Sequence, residues 1–385
     1  MKKLKSLGLI CFSLLLILSS CSSALFENIS KPNNNVLVDA KDAFKFESII
    51  KRVKESVVLL AMSPNANPDI DTSQNAMCSG VVVDEIGHVL TNFHCVYNQN
   101  YIRLYYYDKK DWDQYKVNVI GLDPLADLAL IKVIGKETPT PYIKFADNTE
   151  NLTEGTEVFA LGHPMGMAWT FSKGIISNNE RYARHPFIKV LQTDAAINVG
   201  NSGGPLLNMK GEIVGINTLI ISRIKENAGI GMAIRGDIVK KSLESMIEIG
   251  KVERPAVGIM IMGLRNKKSR EKVMKEFPDV NPDHIPNTLG LWIKPTDDIP
   301  EGLKAHDTII GVNDVMTNDG LQFSDEVAKY NVGDIITLTI IRKRAYMKVD
   351  VPLKVFPVPI EAMYPNRNKL LIPGPAQPKK KEKKP

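Results

Sequence analysis

The stretch Gly200-Asn201-Ser202-Gly203-Gly204-Pro205-Leu206 decides how this chain reads. It lies between two apolar runs, Lys189-Val190-Leu191-Gln192-Thr193 and Glu212-Ile213-Val214-Gly215-Ile216, that read as strands. Glycine has no side chain, so backbone N–H groups can converge here beside the Ser202 hydroxyl. A developing oxyanion needs that arrangement. A glycine-rich hairpin with an incidental serine has the same local pattern. The two readings separate on whether the rest of the chain offers a base, a group to orient it and a substrate pocket.

A serine hydroxyl is a weak nucleophile at neutral pH and needs a neighbouring base, which in turn needs a group that fixes its tautomer. Leu90-Thr91-Asn92-Phe93-His94-Cys95 places His94 at a turn just after a strand. Asp123-Pro124-Leu125-Ala126-Asp127 places Asp127 at the mouth of the apolar run Leu128–Val133. A carboxylate there is largely desolvated and can hold an imidazole N–H. Each residue alone is more often structural, a lone histidine or a turn aspartate. The order His94, Asp127, Ser202 across two barrels makes the catalytic reading the stronger one.

Outward from these segments the chain is a series of short β-branched runs separated by turn residues, the pattern of an all-β barrel. The runs are Ser56–Met62, Cys78–Val83, His88–Thr91, Tyr101–Tyr107, Tyr115–Ile120 and Leu128–Val133, then Glu157–Leu161, Gly174–Ser177, Val190–Thr193, Gly211–Ile216 and Gly231–Ile234. Val239, Leu243, Met246 and Ile247 switch to helical spacing, with Asp237 expected as N-cap and Gly250 as the stop. Residues 46–250 therefore read as two barrel halves closed by a helix. Residues 251–358 read as a smaller mixed unit. Its expected strands are Val257–Met260, Gly290–Ile293, Thr308–Val312 and Ile335–Ile341, with a helix from Ser324 to Tyr330 capped by Ser324. Residues 359–385 are rich in Pro and Lys, and no fold is expected there.

The chain has 385 residues, 44% of them apolar, enough for a sizeable core. The formal charge is +6, but its excess sits in Lys2, Lys3, Lys5 and the lysine-rich end from Lys379. The body is close to neutral, which gives no footprint for nucleic acid. The basic start precedes an apolar run, Leu7–Leu18, too short to span a bilayer but suited to an export signal. Leu18-Ser19-Ser20-Cys21 resembles the bacterial lipoprotein box, which implies a signal over residues 1–20, a lipid on Cys21 and a flexible tether over residues 21–45. Ser22 points to outer-membrane sorting on the same analogy. Of the four cysteines only Cys78 and Cys95 lie in the folded body, a disulfide candidate in an exported chain. The six histidines are scattered, and no metal-ligand spacing is present.

Thr91–His94, Asp123–Lys132, Gln192–Asn198 and Gly200–Leu206 together resemble the HtrA family of trypsin-like serine proteases. Ala160–Gly166 and Gly229–Ile234 fit the same family, and Gly302–Asn313 looks like the middle of its PDZ domain. The resemblance covers residues 46–355. It implies a mostly β protein, with a chymotrypsin-like double β-barrel followed by a PDZ domain. It implies a serine endopeptidase without cofactor that degrades misfolded cell-envelope proteins as a homotrimer. By matched motif Ser202 is the nucleophile, His94 the general base and acid, and Asp127 its orienter, with the N–H groups of Gly200 and Ser202 as oxyanion hole. Val257-Gly258-Ile259 would be the PDZ loop that captures a peptide C-terminus.

Departures from the family pattern carry further expectations. Cys78 and Cys95 resemble the disulfide of digestive trypsin-like enzymes that clamps the histidine turn, so a Cys78–Cys95 bridge is expected. Val199 replaces a family proline. His163 stands where asparagine is frequent and His306 where the PDZ motif has glycine; both are read as neutral replacements. Asn201 stands where digestive zymogens have an aspartate that pairs with a newly cut N-terminus. Asparagine cannot form that ion pair, so activation by N-terminal cutting is not expected. Ala196 and Ile197 should line an apolar S1 pocket for small to medium apolar residues. Two other readings are kept: a chaperone or binding module with an idle protease site, and a dedicated signalling protease.

Overall fold

The computed structural model describes residues 45–63, 76–107, 115–134, 141–182, 188–218 and 229–363. The leader, Cys21 and most of the tether lie outside the described residues, as do residues 364–385. Residues 45–52 are the described part of a first compact unit and are helical. The second unit, Val53–Pro385, holds the elements below. Among the described residues no helix is long and apolar enough to cross a membrane.

Twelve strands form two closed six-stranded antiparallel barrels of a mostly β, chymotrypsin-like double-barrel fold. The first contains β1 (Val57–Ser63), β2 (Ala76–Val82), β3 (His88–Thr91), β4 (Tyr101–Tyr105), β5 (Tyr115–Asp123) and β6 (Leu128–Val133). The second contains β7 (Glu157–Gly162), β8 (Thr170–Tyr182), β9 (Lys189–Thr193), β10 (Pro205–Asn208), β11 (Ile213–Thr218) and β12 (Gly231–Arg235). The strand orders β1-β2-β3-β6-β5-β4 and β7-β8-β9-β12-β11-β10 have one topology, used twice. Closure leaves no unpaired sheet edge in either barrel.

Alternation along the strands fills each barrel. Val58, Leu60 and Met62 of β1 meet Val89 and Ile131 in the first core. Val158, Ala160, Leu206, Val214 and Ala233 fill the second. Each of the Val, Leu, Ile and Met side chains contributes roughly 1.5–3 kcal/mol when fully buried. β10 has no counterpart among the expected strands. It follows the Gly200 stretch directly and opens on Pro205, a residue tolerated at the first position of a strand.

The helix Gly236–Ile249 buries Val239, Leu243 and Met246. Its N-cap is Arg235 rather than the expected Asp237, which lies in the first turn and pairs with the Arg235 guanidinium at 2.7 Å. An aspartate inside the first turn faces the positive end of the helix dipole. Gly250 ends the helix with φ +76, as its position in the sequence anticipates.

The remaining strands are β13 (Pro255–Ala256), β14 (Ile261–Gly263), β15 (Leu291–Ile293), β16 (Thr308–Val312), β17 (Val315–Met316), β18 (Ile335–Arg342), β19 (Ala345–Pro352) and β20 (Lys354–Val355). They form a sheet in the order β14-β15-β16-β18-β19 and a short β13-β20 pair. Val257–Met260 is not a strand; it links β13 to β14. The expected helix at Ser324 instead runs Gly320–Val327, capped by Asp319, whose carboxylate accepts from Leu321 N and Gln322 N. A second helix, Lys267–Glu276, is absent from the sequence reading because only Val273 on it is buried, which leaves no apolar period to read. A short helix Ile360–Met363 lies inside the stretch expected to carry no fold, with Ile360 and Met363 packed against Phe93 and Tyr97.

Candidate active site

The segments singled out from the sequence meet where the two barrels face each other. His94 sits on the one-turn helix Phe93–Val96, which follows β3. Its ring Nδ1 lies 2.8 Å from Asp127 Oδ2, and its backbone N–H donates to Asp127 Oδ1 at 3.0 Å. Thr218, the last residue of β11, donates its hydroxyl to Asp127 Oδ2 at 2.8 Å. Asp127 is 4% exposed, so these donors replace the water a carboxylate would otherwise hold. The Asp127 backbone is fixed from the same side: its carbonyl accepts from Phe93 N at 3.0 Å and from Asn92 Nδ2 at 2.8 Å. Asp127 takes a left-handed φ of +58, which aspartate tolerates better than most residues. An ionised carboxylate only accepts, so the Nδ1–H of His94 donates to it and Nε2 is the ring nitrogen that carries the lone pair.

Ser202 is 3% exposed. Its carbonyl accepts from Ser79 N at 2.8 Å, and Cys95 Sγ lies 4.0 Å from the same oxygen. These contacts seat the serine segment against β2 and against the residue that follows His94. Cys78 and Cys95 are joined by a disulfide with a Cα–Cα separation of 6.2 Å. Among the described residues the grouping with metal-ligand atoms in reach of one another is Cys78, His94 and Cys95, and its two sulfurs are bonded to each other.

The Gly200 stretch folds as its glycines dictate. Gly200 has φ +104, and a Cβ there would fall 2.1 Å from the His163 carbonyl oxygen. Gly203 has φ +84, and a Cβ there would fall 2.3 Å from Ser79 O. The N–H groups of Asn201, Gly203 and Gly204 are spent on Asn198 O, Asn217 O and Asn201 O. Among the described residues, those of Gly200 and Ser202 donate to no protein acceptor. The two unspent donors are the pair expected for an oxyanion hole.

Asn201 is 3% exposed, and its Nδ2 donates to Ala196 O at 3.2 Å. Ala196 is half-buried, and its carbonyl also accepts from Ser172 Oγ at 2.8 Å. Ile197 packs into the second barrel's core. Val257 is buried in the core of the β14-β15-β16-β18-β19 sheet, Ile259 packs against it, and Gly258 between them has φ +77.

Four residues at the site were missed as participants in the sequence. Thr218 and Asn92 carry no local mark of their role. Ser79 is flagged only by its neighbour Cys78. His163, read as a neutral replacement, is fully buried, with Nδ1 2.9 Å from Ser79 Oγ. Burial pushes its pKa down to about 3, so the ring is neutral.

Residues 78–216 match the family described as the trypsin-like peptidase domain. The periplasmic serine endoprotease DegP of Escherichia coli (strain K12) is 33% identical over 288 residues, 72% of this chain and 57% of that protein. The probable serine protease do-like of Buchnera aphidicola subsp. Acyrthosiphon pisum (strain APS) is 34% identical over 300 residues, 75% of this chain and 59% of that protein. The chain thus spans less than two thirds of the curated relatives it matches. Among solved structures, HtrA-type protease AlgW with decapeptide aligns at TM-score 0.67 and 25% identity, covering 82% of this chain and 99% of that one. The serine endoprotease from Yersinia pestis aligns at TM-score 0.62 and 27% identity, covering 81% and 98%.

Proposed function

The chain belongs to the HtrA family of trypsin-like serine proteases, and on that premise we propose that it is a serine endopeptidase of misfolded or damaged cell-envelope proteins. The observation that carries the reading is the buried Asp127 carboxylate, which binds both His94 Nδ1 and the His94 backbone N–H.

In the proposed mechanism Ser202 Oγ attacks the scissile carbonyl as His94 Nε2 takes its proton. Asp127 holds the imidazole tautomer and stabilises the imidazolium, with Thr218 as a further donor to the carboxylate. The negative charge on the former carbonyl oxygen is taken up by the N–H groups of Gly200 and Ser202. His94 then returns the proton to the leaving amine, and water repeats the sequence on the acyl-enzyme.

The S1 pocket, bordered by Ala196 and Ile197, takes small to medium apolar residues. Such residues are buried in native proteins, which biases cleavage toward unfolded chains. Residues 251–358 act as a PDZ domain, with Val257, Gly258 and Ile259 capturing a peptide C-terminus. Support comes from β14, which follows that loop and is an edge strand with one described neighbour, β15, so its other edge can accept an added strand. The enzyme works as a homotrimer, tethered through lipid on Cys21 in the bacterial envelope, in the periplasm or at the surface.

The test is digestion of unfolded casein by the purified chain. Wild type should degrade it, Ser202→Ala should not, and His94→Ala should be strongly impaired. Equal digestion by all three would remove the assignment.

A further inference from the structure

The oxyanion pair of Gly200 and Ser202 needs the peptide between Val199 and Gly200 to face one particular way. In a trans peptide the C=O and N–H point in opposite directions. Val199 O accepts from Met165 N at 2.8 Å, which turns the Gly200 N–H away from Met165. Met165 lies on the turn that begins at His163, and Gly200 packs against the His163 carbonyl. The next carbonyl is pinned as well: Gly200 O accepts from Ser79 Oγ at 2.7 Å. Ser79 N donates to Ser202 O at 2.8 Å, so one residue holds the serine turn at both ends.

The Ser79 hydroxyl has one proton, and it is given to Gly200 O. The other two contacts of that oxygen must therefore be accepted. One comes from His163 N at 3.1 Å, the other from His163 Nδ1 at 2.9 Å. His163 Nδ1 must then carry the ring proton, which leaves Nε2 bare. Among the described residues His163 Nε2 is buried with no hydrogen-bond partner, beside the Trp169 ring at 4.9 Å between centroids. The opposite tautomer would bury an unpartnered N–H and take the Ser79 proton away from Gly200 O. An orphaned donor is rarer and costlier than an under-used acceptor.

We propose that Ser79 and His163 are positioning residues for the oxyanion hole: the Nδ1–H form of His163 aims the Ser79 hydroxyl at Gly200 O, and the turn at His163–Met165 holds Val199 O, so the Gly200 N–H faces the substrate. This rests on the serine-endopeptidase reading above. The asparagine frequent at position 163 in the family can supply the same N–H, whereas an apolar side chain cannot.

Kinetics on a peptide substrate test it. Ser79→Ala keeps the backbone bond to Ser202 and loses only the hydroxyl. It should lower kcat by about tenfold or more, with KM unchanged, because an oxyanion contact acts in the transition state. The pH midpoint of kcat/KM should stay put, since His94 is untouched. His163→Leu should match Ser79→Ala, the double variant should be no worse than either, and His163→Asn should recover most of the rate. Unfolding midpoints identify any variant that has merely lost its fold. Wild-type kcat in folded Ser79→Ala or His163→Leu would overturn the proposal. Nitrogen-15 NMR of the imidazoles in Ser202→Ala reads the same claim without catalysis. His163 should be neutral with Nδ1 protonated from pH 5 to 7, and an Nε2–H tautomer or titration near pH 6.5 would overturn it. An inactive wild type with the expected His163 spectrum would sink the protease reading and leave the hydrogen-bond assignment standing.

Discussion

Arg254 closes a two-point ion pair on Asp123, with Nη1–Oδ1 at 2.6 Å and Nη2–Oδ2 at 2.5 Å. The Asp123 side chain is fully buried. It also accepts from Ser242 Oγ at 2.7 Å and from Ala126 N at 3.1 Å. It thereby ties the helix Gly236–Ile249 and the segment after it to the turn that ends at Asp127. Arg254→Ala leaves a buried carboxylate without its cation, a change that costs about 3–5 kcal/mol. Urea unfolding should show that loss, and the fraction still folded should have reduced kcat because the Asp127 turn is loosened.

Thr218→Val removes one of the donors to Asp127 and keeps the side-chain volume. A hydrogen bond to a charged group contributes roughly 1.5–3 kcal/mol. The part of it felt in the transition state should lower kcat about tenfold, since each 1.4 kcal/mol is a factor of ten. Steady-state kinetics should find KM unaffected.

Joint replacement of Cys78 and Cys95 by alanine opens a loop with a sequence separation of 17. Closing a loop of that length contributes about 3 kcal/mol in the chain-entropy picture. Calorimetry should give a lower Tm for the double variant than for wild type under non-reducing conditions. Under strong reductant the two should converge.

His163 makes stability depend on pH. Its folded pKa, about 3, is below the unfolded value near 6.5. Between those values the unfolded chain holds the extra proton, so lowering the pH favours unfolding. The contribution is complete above pH 6.5 and declines by about 1.4 kcal/mol per pH unit as pH falls toward 3. Denaturant titrations at pH 7, 6 and 5 should show that slope as the difference between wild type and His163→Asn.

Eleven of the twelve barrel strands and the three proposed catalytic side chains were legible because each has a local mark. β1 is six buried apolar residues followed by Ser63, and Asp127 opens an apolar strand. What escaped is relational. Ser79 and Gly200 are 121 positions apart, and Arg254 and Asp123 are 131 apart. No window of sequence holds both partners of such a pair. The helix Lys267–Glu276 escaped for a different reason. Its only mark is the capping box of Asn266 and Ser269, because almost nothing on it is buried. His306 keeps a φ of +73 where glycine is usual, with its ring 5.2 Å from that of Trp292, so packing holds a backbone conformation that sequence would assign to glycine.

Fluorophosphonate labelling of the full chain at pH 7, followed by peptide mass mapping, tests the central claim most directly. The account predicts one phosphonylated site, Ser202, with labelling slowed by orders of magnitude in His94→Ala. An unlabelled Ser202 in folded wild type, or equal labelling in His94→Ala, would contradict it.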